Sequence, residues 1–595
     1  MEKYKSRNDV PLKYRWDLSD FFKDEADFLA NYDKAVEDVS SLGKYIGCTK
    51  NSDKLYEFLK KDIEVCSMVL DLYVYAYLIN DQELGISESM ERKAKTEKLY
   101  SDYSSAVSFF DPELLELSKE EYTSLFENEK LLEFKNNLDK IYRNKEHILS
   151  KNEEVIINEL TSAMNHYDDM SATMLNQEHD YGKIIIDGNE ELITTTNYRK
   201  LMKNNNRETR KKIRCQFLKV LNQYAVSSAQ FLDSYVKMNV AECKIRKYDS
   251  CFDAKLFSLN MPNEVFESLI NTTESHNSSY QKYLKLFKKV HKLDELYPYD
   301  LNLDFAKSDK KYEIEEAQEL CLKAIEPLGS EYVKLFKKVF DNRYIDYAQY
   351  KGKCSGGYSF ATYDKDSKIL MSFNGDLDSV STMIHEGGHN VNHQIMNEKN
   401  PIQYRDTSSI VAEVASLTNE CLLSSYLAQN GETKEEKLSG LANIIGVINS
   451  NLFGAVREGH MEQDFYKYVS DGGTITKDYM INLTNKYMNN LQGNEVIEDE
   501  YSGLSWINRS HYYMSFYLYS YAICISVASY IASEILNGNE DILEKYTKFL
   551  AVGSDVWPID AFKVLGVDLT KKDVYEKAIK YYESLLEKFD TIYNS

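Results

Sequence analysis

A chain of 595 residues is long enough to bury more than one core, so two or more lobes are expected. Its formal charge of −23 leaves no basic patch to neutralise phosphates, which argues against a nucleic-acid partner. Only 7 Pro and 24 Gly leave few breakers, which favours long helices. The nine cysteines are scattered and form no C-x-x-C pair, as expected for reduced thiols in a cytoplasmic protein.

The first residues are charged and no apolar run follows them, so no secretory signal is expected. From about residue 25 to about 170 the chain shows helical periodicity, as in Leu55, Phe58, Leu59 and Ile63. This predicts an antiparallel helical lobe. Tyr181–Gly188 is a short apolar run bounded by glycine, a strand or a connection between lobes. We therefore divide the chain into an N-terminal helical lobe, 1–195, and a second region, 196–595. Long helices resume after 195 and are broken by an extended segment at Tyr297–Phe305. A small sheet is expected within 355–374, ending in the apolar run Ile369–Asn374. Gly356, Gly357 and Tyr358 open that sheet and could be a simple hairpin turn.

The stretch Asp378–Met396 reads as a helix and contains His385-Glu386-Gly387-Gly388-His389. Residues four apart on a helix share a face, so His385 and His389 can chelate one Zn²⁺. Glu386 then projects beside the metal, where it can accept a proton from water. A catalytic zinc site keeps one position open and needs a third protein ligand. His393 rises about 6 Å further along the helix and is poorly placed. Glu413 follows His389 after 24 residues, in the apolar helical run Ile410–Leu417. A carboxylate buried there needs a partner, which makes Glu413 the better third ligand. Asp406 and Glu420 are candidate acceptors for the free imidazole N–H groups of the ligands. The histidines at 147, 166, 179, 276, 291 and 460 have no metal-like spacing.

Towards the end of the chain lies the run Ser510–Tyr521, rich in aromatic residues. His511 is followed by Tyr513 and Tyr517, four apart, which could share a helical face; Tyr512, Tyr519 and Tyr521 also lie close and leave open which tyrosine acts. Imidazole or phenol donors of this kind can stabilise an oxyanion. Tyr521–Leu536 is the most apolar stretch, but it is short for a membrane span and carries Glu534. A buried core helix is expected there, and no membrane partner.

Together, Arg15–Asp20, Gly356–Ser359, Ile384–His389, Val411–Ser416 with Asn419-Glu420, and Ser510–Tyr521 resemble the oligoendopeptidase F branch of the thimet-oligopeptidase (M3) family of zinc peptidases. The resemblance spans nearly the whole chain. It implies an all-α fold with two lobes enclosing a deep channel and a small β-sheet next to the zinc helix. It implies one Zn²⁺ per chain, held by His385, His389 and Glu413, with Glu386 as general base and acid. It makes Gly356, Gly357 and Tyr358 a substrate-facing loop and turns His511, Tyr513 and Tyr517 towards the scissile carbonyl. Three positions depart from the branch: Gly387 replaces a larger apolar residue, Ser510 a proline and Asn508 an arginine. Gly387 either loosens the helix or admits a closer neighbour. The expected activity is internal cleavage of short unstructured peptides. The rivals are a related zinc carboxypeptidase or dipeptidyl carboxypeptidase and a non-catalytic helical peptide-binding protein.

Overall fold

The computed structural model describes residues 4–164, 166–186 and 188–595. Asp187, in the apolar run before residue 188, and the first three residues of the charged N-terminus lie outside them. The fold is mainly helical, with strands confined to two small sheets among the described residues. It divides into two compact units, each assembled from three stretches of chain.

The first unit comprises residues 1–146, 309–426 and 534–566. Its longest helix, α1 (Ser52–Gln82), is capped by the Asn51 side chain accepting from Lys54 N–H. Leu55, Phe58, Leu59, Val65, Val69 and Leu72 give α1 its buried face. It pairs with α2 (Ser87–Val107). The N-terminal run at residues 15–20 packs here. Trp16 and Leu18 enter the apolar core beside Phe21, Phe28, Val69 and Leu72.

Helix α3 (Ser330–Asp341) leads into a three-stranded sheet of β1 (Ile345–Asp346), β2 (Tyr358–Phe360) and β3 (Lys368–Leu370). β3 is central, parallel to β1 and antiparallel to β2, with Tyr358 opposite Leu370 and Phe360 opposite Lys368. β2 is thus an edge. The expected strand Ile369–Asn374 contributes only its start to the ladder, and the sheet begins earlier than 355. Two buried lysines hold this region. Lys368 Nζ reaches Asp20 Oδ2 at 2.6 Å. Lys353 Nζ donates to the carbonyls of Asp346, Ala348 and Met371 at 2.8–2.9 Å and pairs with Asp346. A buried ammonium is tolerable only when saturated in this way.

Two helices complete the part of this unit that matters below. α4 (Leu377–Lys399) starts at Asp376, whose carboxylate accepts from Ser379 N–H at 3.0 Å, and stops before Pro401. α5 (Ser409–Asn430) carries the second apolar run. Both are longer than their sequence patterns suggested, because tertiary burial extends them.

The second unit comprises residues 147–308, 427–533 and 567–595. The run before residue 188 is the first strand of a hairpin, Lys183–Ile186 against Asn189–Leu192. The 39-residue helix Arg207–Ile245 packs on α6 (Ala455–Ser470). α7 (Leu518–Leu536) is the apolar stretch noted above; 72% of its most apolar window is buried, so it is a core helix.

Candidate active site

α4 and α5 cross at a glycine. A Cβ on Gly388 would lie 2.8 Å from Ser416 Cα and 3.1 Å from the Ala415 carbonyl. Only the absence of a side chain at 388, against small residues at 415 and 416, permits this approach. It carries Glu413 onto the histidine face of α4. His385 Nε2 and His389 Nε2 stand 3.6 and 3.8 Å from Glu413 Oε2. The three donor atoms lie within 4.8 Å of one another, the one such group of His, Cys, Asp or Glu among the described residues. Ligands about 2.0–2.1 Å from one tetrahedral ion are about 3.4 Å apart, so the two histidine–Glu413 separations are close to those of zinc ligands. Two imidazoles and a carboxylate also leave the fourth position open. His393 is outside the group and hydrogen-bonds to Asn397 at 3.2 Å.

The supporting contacts differ between the two histidines. His385 Nδ1 lies 2.6 Å from Glu420 Oε1, and Ser381 Oγ donates to Glu420 Oε2 at 3.1 Å. His389 makes no such carboxylate contact beyond Glu413 among the described residues. Asp406 is exposed and accepts from its own loop, at Thr407 N–H, 2.8 Å away. The structure therefore brings Glu420 to a histidine and leaves Asp406 apart. Glu413 also accepts from Ser416 Oγ at 2.9 Å, a contact the sequence pattern did not reveal.

Glu386 is buried, and burial pushes its carboxyl up to about 7. The loop before β2 covers it. A Cβ on Gly357 would lie 2.8 Å from Thr382 Cγ2 and 3.7 Å from Glu386 Oε1. Gly356 has φ +101° with open space around it. This is a glycine-dependent turn that lays backbone beside Glu386. Tyr358 is in β2, but its hydroxyl is directed away, donating to Asp81 Oδ2 of α1 at 2.9 Å.

Gly387 admits a closer neighbour. A Cβ there would fall 2.2 Å from Phe336 Cζ, so the ring of α3 occupies the space that a larger side chain would fill.

The His511 segment lies in the second unit. Residues Ser510–Tyr513 form a single 3₁₀ turn, and Phe516 has φ +58°. Because the chain turns here, Tyr513 and Tyr517 do not share a helical face, contrary to the expectation from their spacing. Tyr513 stacks edge-on with Tyr235 at 5.2 Å. Tyr517 instead joins His511 and Tyr521: centroids are 6.2 Å (His511–Tyr517), 5.9 Å (His511–Tyr521) and 5.2 Å (Tyr517–Tyr521). Tyr521 OH is 3.5 Å from His511 Nε2. Of the tyrosines that the sequence leaves open, the structure brings Tyr521 to His511, since a spacing of ten has meaning only once the turn at 514–517 is known. Burial and the neighbouring Arg509 lower the His511 imidazole, favouring its neutral form. Arg509, one residue after the departing Asn508, pairs with Glu458.

Comparison with known proteins identifies the family. Residues 200–581 match peptidase family M3 and residues 113–178 match oligopeptidase F. Oligopeptidase PepF of Bacillus subtilis is 30% identical over 590 residues, covering 98% of this chain and 88% of that protein. Group B oligopeptidase PepB of Streptococcus agalactiae is 27% identical, covering 99% and 98%. Among solved structures, a peptidase from Chlamydophila abortus has a TM-score of 0.92 at 24% identity, covering 99% of this chain and all of that one. Oligoendopeptidase-F from Enterococcus faecium has a TM-score of 0.72 at 24% identity, covering 96% and 99%. The chain belongs to peptidase family M3, in its oligoendopeptidase F branch, and is a metallo-endopeptidase.

Proposed function

We propose that this protein is a zinc-dependent endopeptidase that hydrolyses internal bonds of short, unstructured oligopeptides in the cytoplasm. The observation that carries the reading is the convergence of His385, His389 and Glu413 beside a buried Glu386. One zinc ion per chain would be held by those three side chains. When bound, it polarises the scissile carbonyl and lowers the pKa of water at the site towards about 7. Glu386 takes the proton released as water attacks and delivers it to the leaving amine. No covalent intermediate forms. Glu420 fixes the His385 ring through Nδ1 and keeps Nε2 for the metal. The loop Gly356-Gly357-Tyr358 and the edge of β2 would hold an extended substrate backbone. His511, with Tyr517 and to a lesser degree Tyr513, would donate to the developing oxyanion, a role suggested by the family resemblance. In sequence, we read 1–195 as a helical lobe and 196–595 as the peptidase region, which the family match over 200–581 supports.

A mixed library of peptides blocked at both ends tests this reading. With mass spectrometry as readout, internal cleavage should occur and should stop with a chelator. An exopeptidase would leave the blocked peptides intact, and a binding protein would leave every peptide intact. The ligand set is tested separately by metal content. Purified Glu413→Ala or His389→Ala should lose zinc, because two side chains rarely hold it, whereas His393→Ala should keep it. Full zinc occupancy in Glu413→Ala would remove Glu413 from the set.

A further inference from the structure

The turn that groups His511, Tyr517 and Tyr521 is held from one side by one face of α6. Glu458, Glu462 and Tyr466 are spaced four apart on that helix and so line up along it. Glu458 pairs with Arg509. Glu462, fully buried, accepts from Phe516 N–H at 2.9 Å. Tyr466 OH lies 3.0 Å from Ser515 Oγ, which is also 3.1 Å from Tyr235 OH. Phe516 is the residue with φ +58°, a left-handed conformation that bulky side chains rarely adopt. Such a conformation persists only where its surroundings over-determine it. Here a buried carboxyl takes the N–H, while the ring packs against Phe252 and Tyr466 with centroids at 5.1 and 4.7 Å.

Glu462 is an odd choice for packing alone. Its second oxygen, Oε2, is buried and makes no hydrogen bond. Burial pushes the carboxyl up to about 8. A leucine of similar volume would avoid that desolvation cost. What leucine would lose is the acceptor for Phe516.

We infer that Glu462 is a positioning residue: by accepting the Phe516 N–H it locks the turn that presents His511, Tyr517 and Tyr521 for turnover. The inference rests on the reading of that aromatic group as the oxyanion donors. Tyr517 follows Phe516 directly, so a relaxed φ at 516 would swing Tyr517 away from His511 and Tyr521. The hydrogen bond and the turn it stabilises act on the rate of the chemical step and leave peptide binding and the metal site alone.

The test compares Glu462→Leu, Glu462→Gln, His511→Ala and the double variant Glu462→Leu/His511→Ala in the full chain. It measures kcat and KM on an internally quenched peptide, together with zinc content and melting temperature. Glu462→Leu should lower kcat by about 10²-fold, the scale of an ångström-sized misplacement, with KM and zinc content near parental. Glu462→Gln, neutral and still an acceptor at Oε1, should recover most of that loss. The double variant should lose less than the product of the two single losses, since Glu462 acts by holding His511 and Tyr517 in one group. Parental kcat in Glu462→Leu, or losses that multiply in the double variant, would overturn the positioning role. Parental kcat in His511→Ala would remove the oxyanion reading and the positioning role with it. Should Glu462→Leu melt below the assay temperature, Glu462→Met, a flexible side chain with only a weak thioether acceptor, is subject to the same expectations.

Discussion

At the scale of single residues, the site depends on three glycines that do different things. Gly388 lets α5 approach α4, Gly357 lets the β2 loop approach Glu386, and Gly387 makes room for Phe336. The pattern His385–His389 and the lone carboxylate Glu413 were readable from spacing, because helix geometry fixes which residues share a face. Phe336 was not readable as the partner of Gly387. It lies 51 positions earlier in the chain, and nothing local marks it. The pair is testable. Restoring a larger apolar residue with Gly387→Leu should destabilise by about 1–3 kcal/mol through overpacking and reduce zinc retention. Phe336→Ala alone should cost about 3–5 kcal/mol through the cavity it leaves. Combined, the two should cost less than their sum by about 1 kcal/mol or more, measured by denaturation in a double-mutant cycle. Strict additivity would show that the two side chains do not compete for one space.

At the scale of elements, helices were legible and irregular segments were not. Periodicity gave α1 and α4, which bury one apolar face, and apolar content gave α5 and the core helix α7. The turn at 514–517 leaves no mark in the local spacing because its determinants are distant: Glu458, Glu462 and Tyr466 on α6 and Tyr235 on the helix Arg207–Ile245. Another such tie secures the start of that long helix. Asp300, fully buried, accepts from Arg207 and Arg210 at 2.7 Å each. Burial raises its carboxyl, but the hydrogen bonds from Arg207 and Arg210 prevail and hold it below its ordinary value. The sign follows. A depressed folded value contributes stability that is present above the unfolded value of about 3.9 and is lost as pH falls through the folded one. Asp300→Asn should therefore cost about 3–5 kcal/mol near neutral pH, because Arg210 is left buried and unpaired. The gap in melting temperature between parent and variant should narrow only below about pH 4. A gap that narrows between pH 5 and 7 would assign the effect to another group.

At the scale of the whole molecule, the scarcity of Pro and Gly favoured helices, and the long apolar helix α7 is a buried core element. What composition could not supply was the assembly of each compact unit from three separated stretches, since pairings over hundreds of residues leave no local trace. The activity has a consequence at this scale. On the proposed reading, a substrate extended along β2 must already be unfolded, and a folded chain would have to give up its own backbone hydrogen bonds first. We expect cleavage of peptides of roughly 5–20 residues and none of a stable folded domain, whose unfolding costs about 5–15 kcal/mol. Digestion of such a domain, monitored by mass spectrometry where it stays folded, would contradict this size limit.

The most direct measurement is zinc content and turnover of Glu386→Gln on an end-blocked peptide. Glutamine keeps the size and reach of Glu386 but is a far poorer base, and Glu386 is not among the three metal-facing donors. We expect zinc and peptide binding near parental levels and a loss of turnover of at least about 10²–10⁴-fold, the usual worth of a general base. Should the variant keep its zinc and more than about a tenth of parental turnover, Glu386 would not be the base, and the hydrolytic mechanism proposed above would be wrong.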